Sequence, residues 1–362
     1  MHRLNLNLVI ILILLTILTA SCRVTSVPAT TPIIAEPVEP VISDNVIIPI
    51  PVNVEPVKPA PPDIKEPVSP AYPEPEAPKL PVIPTTDFQT IKDIEYGNGD
   101  GIPLMLDMYI PETPIASPVP AVVFIHGGGW QSGDKYPGRI NELASHGFFG
   151  VSINYRLSGV AQFPAAIEDS KCAIRWLRAN SDKYNIDPDR IGVWGSSAGG
   201  HLSMLVGTAD ESAGLEGSGG WEGVSSRVQA VCSYFGPGDF VSWFEGADQL
   251  RNITAEFNFL GGTILEKPDV YKLASPFTHV TGDDPPLLMV HGSLDSVVPF
   301  SQSKIMHQAY KQSGLDVTLV EVTGASHGFK QVTDTPISPS HEEIARIVVD
   351  FFVKHLLDIV VE

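Results

Sequence analysis

Basic residues are scarce in this sequence. Its 23 Lys and Arg stand against 42 Asp and Glu, a formal net charge of −19, and no stretch gathers them into a cluster. Phosphate backbones are held by Lys and Arg, so nucleic-acid binding is disfavoured as a function class. Cysteine is scarcer still, at three residues. Cys22 ends an N-terminal apolar segment, Cys172 falls in an expected helix and Cys232 in an expected strand. The last two read better as separate buried thiols than as a disulfide. No Cys/His cluster has metal-ligand spacing, so no metal is expected. No internal repeat is visible.

Long apolar runs are lacking too. The one candidate is "MHRLNLNLVIILILLTILTASC", residues 1–22. It has Arg3 near its start and small residues before Cys22, and its apolar run is short for a membrane span. That is the pattern of a signal peptide. "LTASC" also resembles the lipobox of bacterial lipoproteins, with Thr19 standing where leucine is commonest. The resemblance implies an exported cell-envelope protein whose lipidated Cys22 begins the mature chain, touching the membrane only through that anchor. Simple secretion and an uncleaved anchor are the alternatives.

Proline is abundant, and unevenly so. Residues 23–86 hold about half of the chain's 33 prolines. Proline lacks a backbone donor and fixes φ, so neither helix nor sheet can propagate there. An extended, polyproline-like spacer is expected, reaching on the order of 150 Å at about 3.1 Å per residue.

From residue 87 to 362 the pattern becomes regular. "DFQTIKDIEY" and "IPLMLDMYIP" flank "GNGDG" and read as a hairpin. Strand and helix then alternate. "PAVVFIH", "FFGVSINY", "RIGVWG", "VQAVCSYF", "PPLLMVHG" and "DVTLVEV" are expected strands. Helices are expected at "RINELASHG", "PAAIEDSKCAIRWLRANSDKY", after residue 198, near 301–313 and at 341–358. The alternation implies an α/β protein, a mostly parallel sheet with helices on both faces, opened by an antiparallel N-terminal hairpin. Residues 239–275 exceed an ordinary crossover and read as a small cap over the site.

Two glycine-rich stretches carry chemistry. In "RIGVWGSSAGGH" the frame G-x-S-x-G places Ser197 at its centre, with Gly195 and Gly199 flanking and Ser196 as a spacer. A strand, a sharp turn and a helix around it make a nucleophile elbow, the glycines leaving room for the turn. "HGGGW", His126–Trp130, follows the first buried strand; its glycines let backbone N–H groups approach an oxyanion. Trp130 beyond them reads as a wall of the substrate pocket.

A serine nucleophile needs a base, and the base an orienting acid, in the chain order Ser, acid, His. His327 in "GASHGF" lies in a loop just after a strand, where it can reach across the strand ends. His307 and His355 sit on expected helices and His341 starts one. His291 ends a strand close to the site but precedes the acid. Asp295 in "HGSLDSVVP" follows a strand end, whereas Asp283 and Asp284 precede the strand at the wrong end of the sheet. The candidate triad is Ser197, Asp295 and His327. Asp187-Pro188-Asp189 reads as a turn into the strand at Arg190, and Asp169 as a structural carboxylate.

The stretches "HGGGW…NYRLS…FPAAIEDSKCAIRWLRAN…DPDRIGVWGSSAGGHL…HGSLDSVVP…ASHGF" resemble the α/β-hydrolase fold over about residues 87–358. They are similar to its bacterial esterase/lipase branch, including acetyl esterases and feruloyl- or acetylxylan-esterase-like enzymes. The resemblance implies Ser197 as nucleophile, His327 as base and Asp295 as its orienter. It also implies oxyanion donors from the backbone of Gly128, Gly129 and Ala198. Hormone-sensitive-lipase-like members carry a helical cap before the first strands; the proline spacer stands there instead, which favours an open site. The expected activity is hydrolysis of short-chain or carbohydrate-linked carboxylic esters through an acyl-enzyme, without cofactor. An amide hydrolase of arylformamidase-like or peptidase-like type is the enzyme alternative. A non-catalytic surface binding module is the alternative from a different class.

Overall fold

The computed structural model describes residues 85–136, 138–245 and 254–357. The signal segment, Cys22 and nearly all of the spacer lie outside them.

β1 (Phe88–Gly99) and β2 (Ile102–Pro111) form the opening hairpin, their ends paired Gly99 with Ile102. Asp100 and Gly101 between them both have positive φ, 54° and 89°. Those are the angles of a type I′ turn, whose twist matches that of the flanking strands. β3 (Val119–Ile125), β4 (Phe149–Ile153), β5 (Ile186–Ser196), β6 (Ala230–Tyr234), β7 (Leu287–Gly292) and β8 (Val317–Val322) complete one sheet. Its order is β1-β2-β4-β3-β5-β6-β7-β8. β2 runs antiparallel to β4, and every pairing beyond β4 is parallel.

The helices lie between the strands in sequence, except the last, which follows β8. They are α1 (Ile140–Ser145), α2 (Ala165–Ala179), α3 (Ser181–Tyr184), α4 (Ala198–Thr208) and α5 (Phe240–Glu245). α6 (Thr254–Leu260), α7 (Pro268–Leu273), α8 (Ser301–Gln312) and α9 (His341–Leu356) follow. The long helix expected over 164–184 is interrupted at Asn180, whose side-chain amide bonds back to the Trp176 carbonyl at 2.8 Å, and the chain resumes as α3. Asx side chains compete with the backbone in this way.

Side chains alternate across β3 and build two cores. Ala121, Val123 and Ile125 join α2, α4 and α8 on one face; Val122 and Phe124 join α1 and α9 on the other. Each buried Val, Ile or Phe among them contributes roughly 1.5–3 kcal/mol. With both faces covered, the parallel strands read as continuous apolar runs. Cys172 and Cys232 are buried and unpaired, one in each core. At 187–190 the pairing of β5 with β3 skips from Ile186 to Ile191; Asp187 caps this excursion by accepting from the Asp189 N–H and the Arg190 guanidinium.

One buried ion pair ties the strand layer to a helix. Arg156, just beyond β4, forks onto Asp169 of α2 with Nε and Nη2 contacts of 2.8–3.1 Å, and its backbone N–H also donates to that carboxylate at 2.8 Å. This accounts for Asp169 structurally.

Candidate active site

β5 ends in the elbow. Ser197 has φ 55° and ψ −120° and stands as the N-cap of α4. Such a backbone is costly for a residue with a Cβ and persists only where its surroundings enforce it. Here the Ser197 N–H donates to the Tyr234 carbonyl at 2.8 Å, and its own carbonyl accepts from His201 N–H at 2.9 Å. The flanking glycines are obligatory. A Cβ on Gly195 would lie 2.2 Å from the Gly199 carbonyl oxygen, and one on Gly199 would lie 2.0 Å from that of Ile125. Ser196, by contrast, is the last residue of β5.

Two loops converge on the Ser197 hydroxyl. The loop after β8 carries His327, whose Nε2 is 3.0 Å from Ser197 Oγ. The loop after β7 carries Asp295, whose Oδ2 accepts from His327 Nδ1 at 2.7 Å. The loops are fastened together: Leu294 N–H donates to the Ala325 carbonyl at 2.9 Å and Gly324 N–H to Ser293 Oγ at 3.1 Å. A Cβ on Gly292 would meet the Ala325 oxygen at 2.5 Å, so only glycine permits this approach.

Asp295 is fully satisfied. Its Oδ1 accepts from the Val297 and Val298 N–H groups at 2.8 and 3.0 Å. Burial alone would raise its pKa, but hydrogen bonds from His291 and His327 and the backbone hold the carboxyl well below the usual range. As the anion it accepts the His327 Nδ1 proton and so favours the tautomer with a lone pair on Nε2 facing Ser197.

The glycine loop faces the serine across a pocket of about 580 Å³, lined among others by Gly127–Trp130, Ser197, Trp243, Ala255 and His327. Gly128 and Gly129 have φ of 114° and 60°. Ala198 opens α4, and the first N–H groups of a helix have no intrahelical acceptor. Trp130 borders the pocket but is only 3% exposed. Its indole stacks on Phe259 at 4.5 Å and donates from Nε1 to His201 Nδ1 at 3.3 Å. It is a strut for the glycine loop as much as a wall.

Several contributors escape sequence reasoning. His291 was set aside on chain order, which bears on the base but not on neighbours of the acid; its Nε2 lies 3.3 Å from Asp295 Oδ2 and 2.9 Å from the Val298 carbonyl. Phe235 packs edge-on against the His327 ring at 4.6 Å. His201, inside the helix that the elbow begins, is wholly buried, and its Nε2 donates to the Ala274 carbonyl at 2.7 Å. It ties the 239–275 insertion to Trp130. Of that insertion, Trp243, Ala255 and Glu256 border the pocket, while residues 246–253 lie outside the described residues. His355 is less of a surface residue than its helix suggests: it is half-buried against Phe351, ring centroids 4.8 Å apart. Among the described residues no group of His, Cys, Asp and Glu is placed to hold a metal ion.

Comparison with known proteins agrees with this fold. Residues 106–310 match the BD-FAE family. The chain is 34% identical over 258 residues to the esterase LipC of Mycobacterium tuberculosis, covering 68% of this chain and 62% of that protein. To the esterase LipQ of the same organism it is 31% identical over 264 residues, covering 72% and 61%. It thus spans about three fifths of the length of these curated relatives. Among solved structures, a truncated carbohydrate esterase from gut microbiota aligns with TM-score 0.65 at 32% identity, covering 77% of this chain and all of that one. Esterase Est2 of Thermogutta terrifontis with propionate bound aligns with TM-score 0.60 at 27% identity, covering 76% and 96%.

Proposed function

The chain belongs to the BD-FAE family of α/β-hydrolases, and on that premise we propose that it hydrolyses carboxylic esters through an acyl-enzyme on Ser197. The observation that carries this reading is the unbroken Ser197–His327–Asp295 hydrogen-bonded series at the glycine loop. Ser197 Oγ attacks the ester carbonyl while His327 Nε2 takes its proton. Asp295 steadies the imidazolium that forms. The tetrahedral oxyanion is received by backbone N–H groups of Ala198 and of Gly128 and Gly129. One such donor is worth about 10²–10³ in kcat. His327 then protonates the leaving alcohol, and water repeats the sequence to release the acid.

The substrate class we propose is short-chain or carbohydrate-linked esters. The likeness to a carbohydrate esterase and to an esterase with bound propionate supports it, as does a pocket of about 580 Å³. Export and lipid anchoring at Cys22 remain our reading of the N-terminal segment alone.

A fluorophosphonate probe tests the reading directly. Labelling is expected on the peptide containing Ser197 and absent in Ser197→Ala. Hydrolysis of p-nitrophenyl acetate compared with an N-formyl anilide separates ester from amide chemistry; faster turnover of the anilide would replace our reading with the amide one.

A further inference from the structure

A second pocket, of about 350 Å³, lies beside the glycine loop and is lined by Gln131, Ser158, Gly159, Gln162 and Asn258. The size falls within the range of small-ligand sites. Its lining is neutral and polar throughout, on a chain whose net charge is −19.

The two pockets share one seam. Gln131 directly follows Trp130, which borders the catalytic pocket. α6 supplies Ala255 to the catalytic pocket and Asn258 to the second one; three residues apart, they are about 4.5 Å apart along the helix axis. Between them loop and helix touch, since a Cβ on Gly129 would meet Ala255 Cβ at 3.3 Å. The Phe163 N–H donates to the Phe259 carbonyl at 2.8 Å, fastening the 158–163 segment to α6.

Unused hydrogen-bonding capacity lines this pocket. Asn258 Nδ2 donates to Gln131 Oε1 at 3.1 Å. Whichever way the two amides are turned, that mutual bond leaves one carbonyl and one NH2 group over. Neighbouring donors and acceptors without formal charge match a ligand carrying adjacent hydroxyls, each of which both donates and accepts. A carboxylate or phosphate would find no cation among these residues.

We propose that this pocket is a subsite for the uncharged sugar unit of a sugar ester. The proposal rests on the ester-hydrolase reading, and its test is separable from that reading.

The probes are methyl glucoside 6-acetate, p-nitrophenyl acetate and unesterified methyl glucoside, the last used for binding only. In the Gln131→Ala/Asn258→Ala double variant, kcat/KM for the sugar acetate relative to p-nitrophenyl acetate is expected to fall about tenfold. That is the scale of one or two lost hydrogen bonds, and it should appear in KM rather than kcat. Saturation-transfer NMR should show methyl glucoside binding to Ser197→Ala full-length protein and weaker binding once Gln131 and Asn258 are truncated. Methyl glucuronide should bind less well than the neutral sugar. Gln162→Ala, at an exposed position, gives the same readout if the double variant folds poorly. An unchanged selectivity ratio, no methyl glucoside binding, or equal binding of the uronide would overturn the proposal. Failure of wild-type protein on p-nitrophenyl acetate would instead overturn the ester reading, leaving the NMR result to decide the pocket.

Discussion

Ser196 and Ser197 are chemically identical neighbours, and the backbone separates them. Ser196 ends a strand, whereas Ser197 turns at φ 55° and meets His327. Ser197→Ala is therefore expected to lower kcat on p-nitrophenyl acetate by about 10⁶, the scale for a serine nucleophile, while Ser196→Ala costs far less. Asp295→Asn should keep the fold and lose about 10⁴ in kcat, because the amide disturbs the His327 tautomer. Since Asp295 is held well below the ordinary carboxylate range, it stays ionised as pH falls. His201 offers a stability test. Burial lowers its pKa from 6.5 to about 4, so between these values the unfolded chain takes up a proton that the folded one refuses. Stability then rises with pH through this window, and about 3 kcal/mol is lost on descending it. Urea titrations of His201→Gln at pH 7 and pH 5 should show a smaller difference than wild type does. An equal difference would assign the pH dependence elsewhere.

At the scale of elements, the site depends on loops held by rigid neighbours. The acid and the base sit on loops after adjacent strands, β7 and β8, which is why residues 32 apart can share a 2.7 Å bond. The Arg156–Asp169 pair does similar work for the segment leading from β4 to α2. Removing one partner of a buried ion pair costs about 3–5 kcal/mol because the other charge is stranded. Asp169→Ala should lower the unfolding free energy in urea by less than that, because Asp100 and Glu168 still face the Arg156 guanidinium. These residues appear in the sequence only as a carboxylate on a helix and an arginine after a strand. Their pairing depends on where α2 returns to the sheet, and no local pattern records that.

Across the whole molecule, the described residues form one sheet with its helices, and the N-terminal 84 residues lie outside them. Our reading of that segment as signal, lipidation site and proline spacer has a direct test. Cys22→Ser should move the protein from the membrane to the soluble fraction with its esterase activity kept. A single acyl chain holds only marginally, so retention of wild type in membranes requires more than one. Protein beginning near Pro84 should match full-length kcat/KM on p-nitrophenyl acetate. Unfolding on truncation, or a Cys22→Ser protein that stays with the membrane, would show that the division of the chain is misplaced.

Period and punctuation made much of this protein legible without coordinates. Apolar runs of strand length alternating with helices announced a parallel sheet covered on both faces, and three glycine-bearing turns placed Ser197, Asp295 and the glycine loop at strand ends. Chain order and loop position were enough to choose His327. What the tertiary structure alone decided is how distant residues meet. His291 lies against the acid, His201 joins Trp130 to the insertion, and Gln131 meets Asn258 across 127 positions. Those contacts are set by the twist of the sheet and the packing of helices on it. Local propensity carries no information about them, because it acts over a few residues while packing couples residues far apart in sequence.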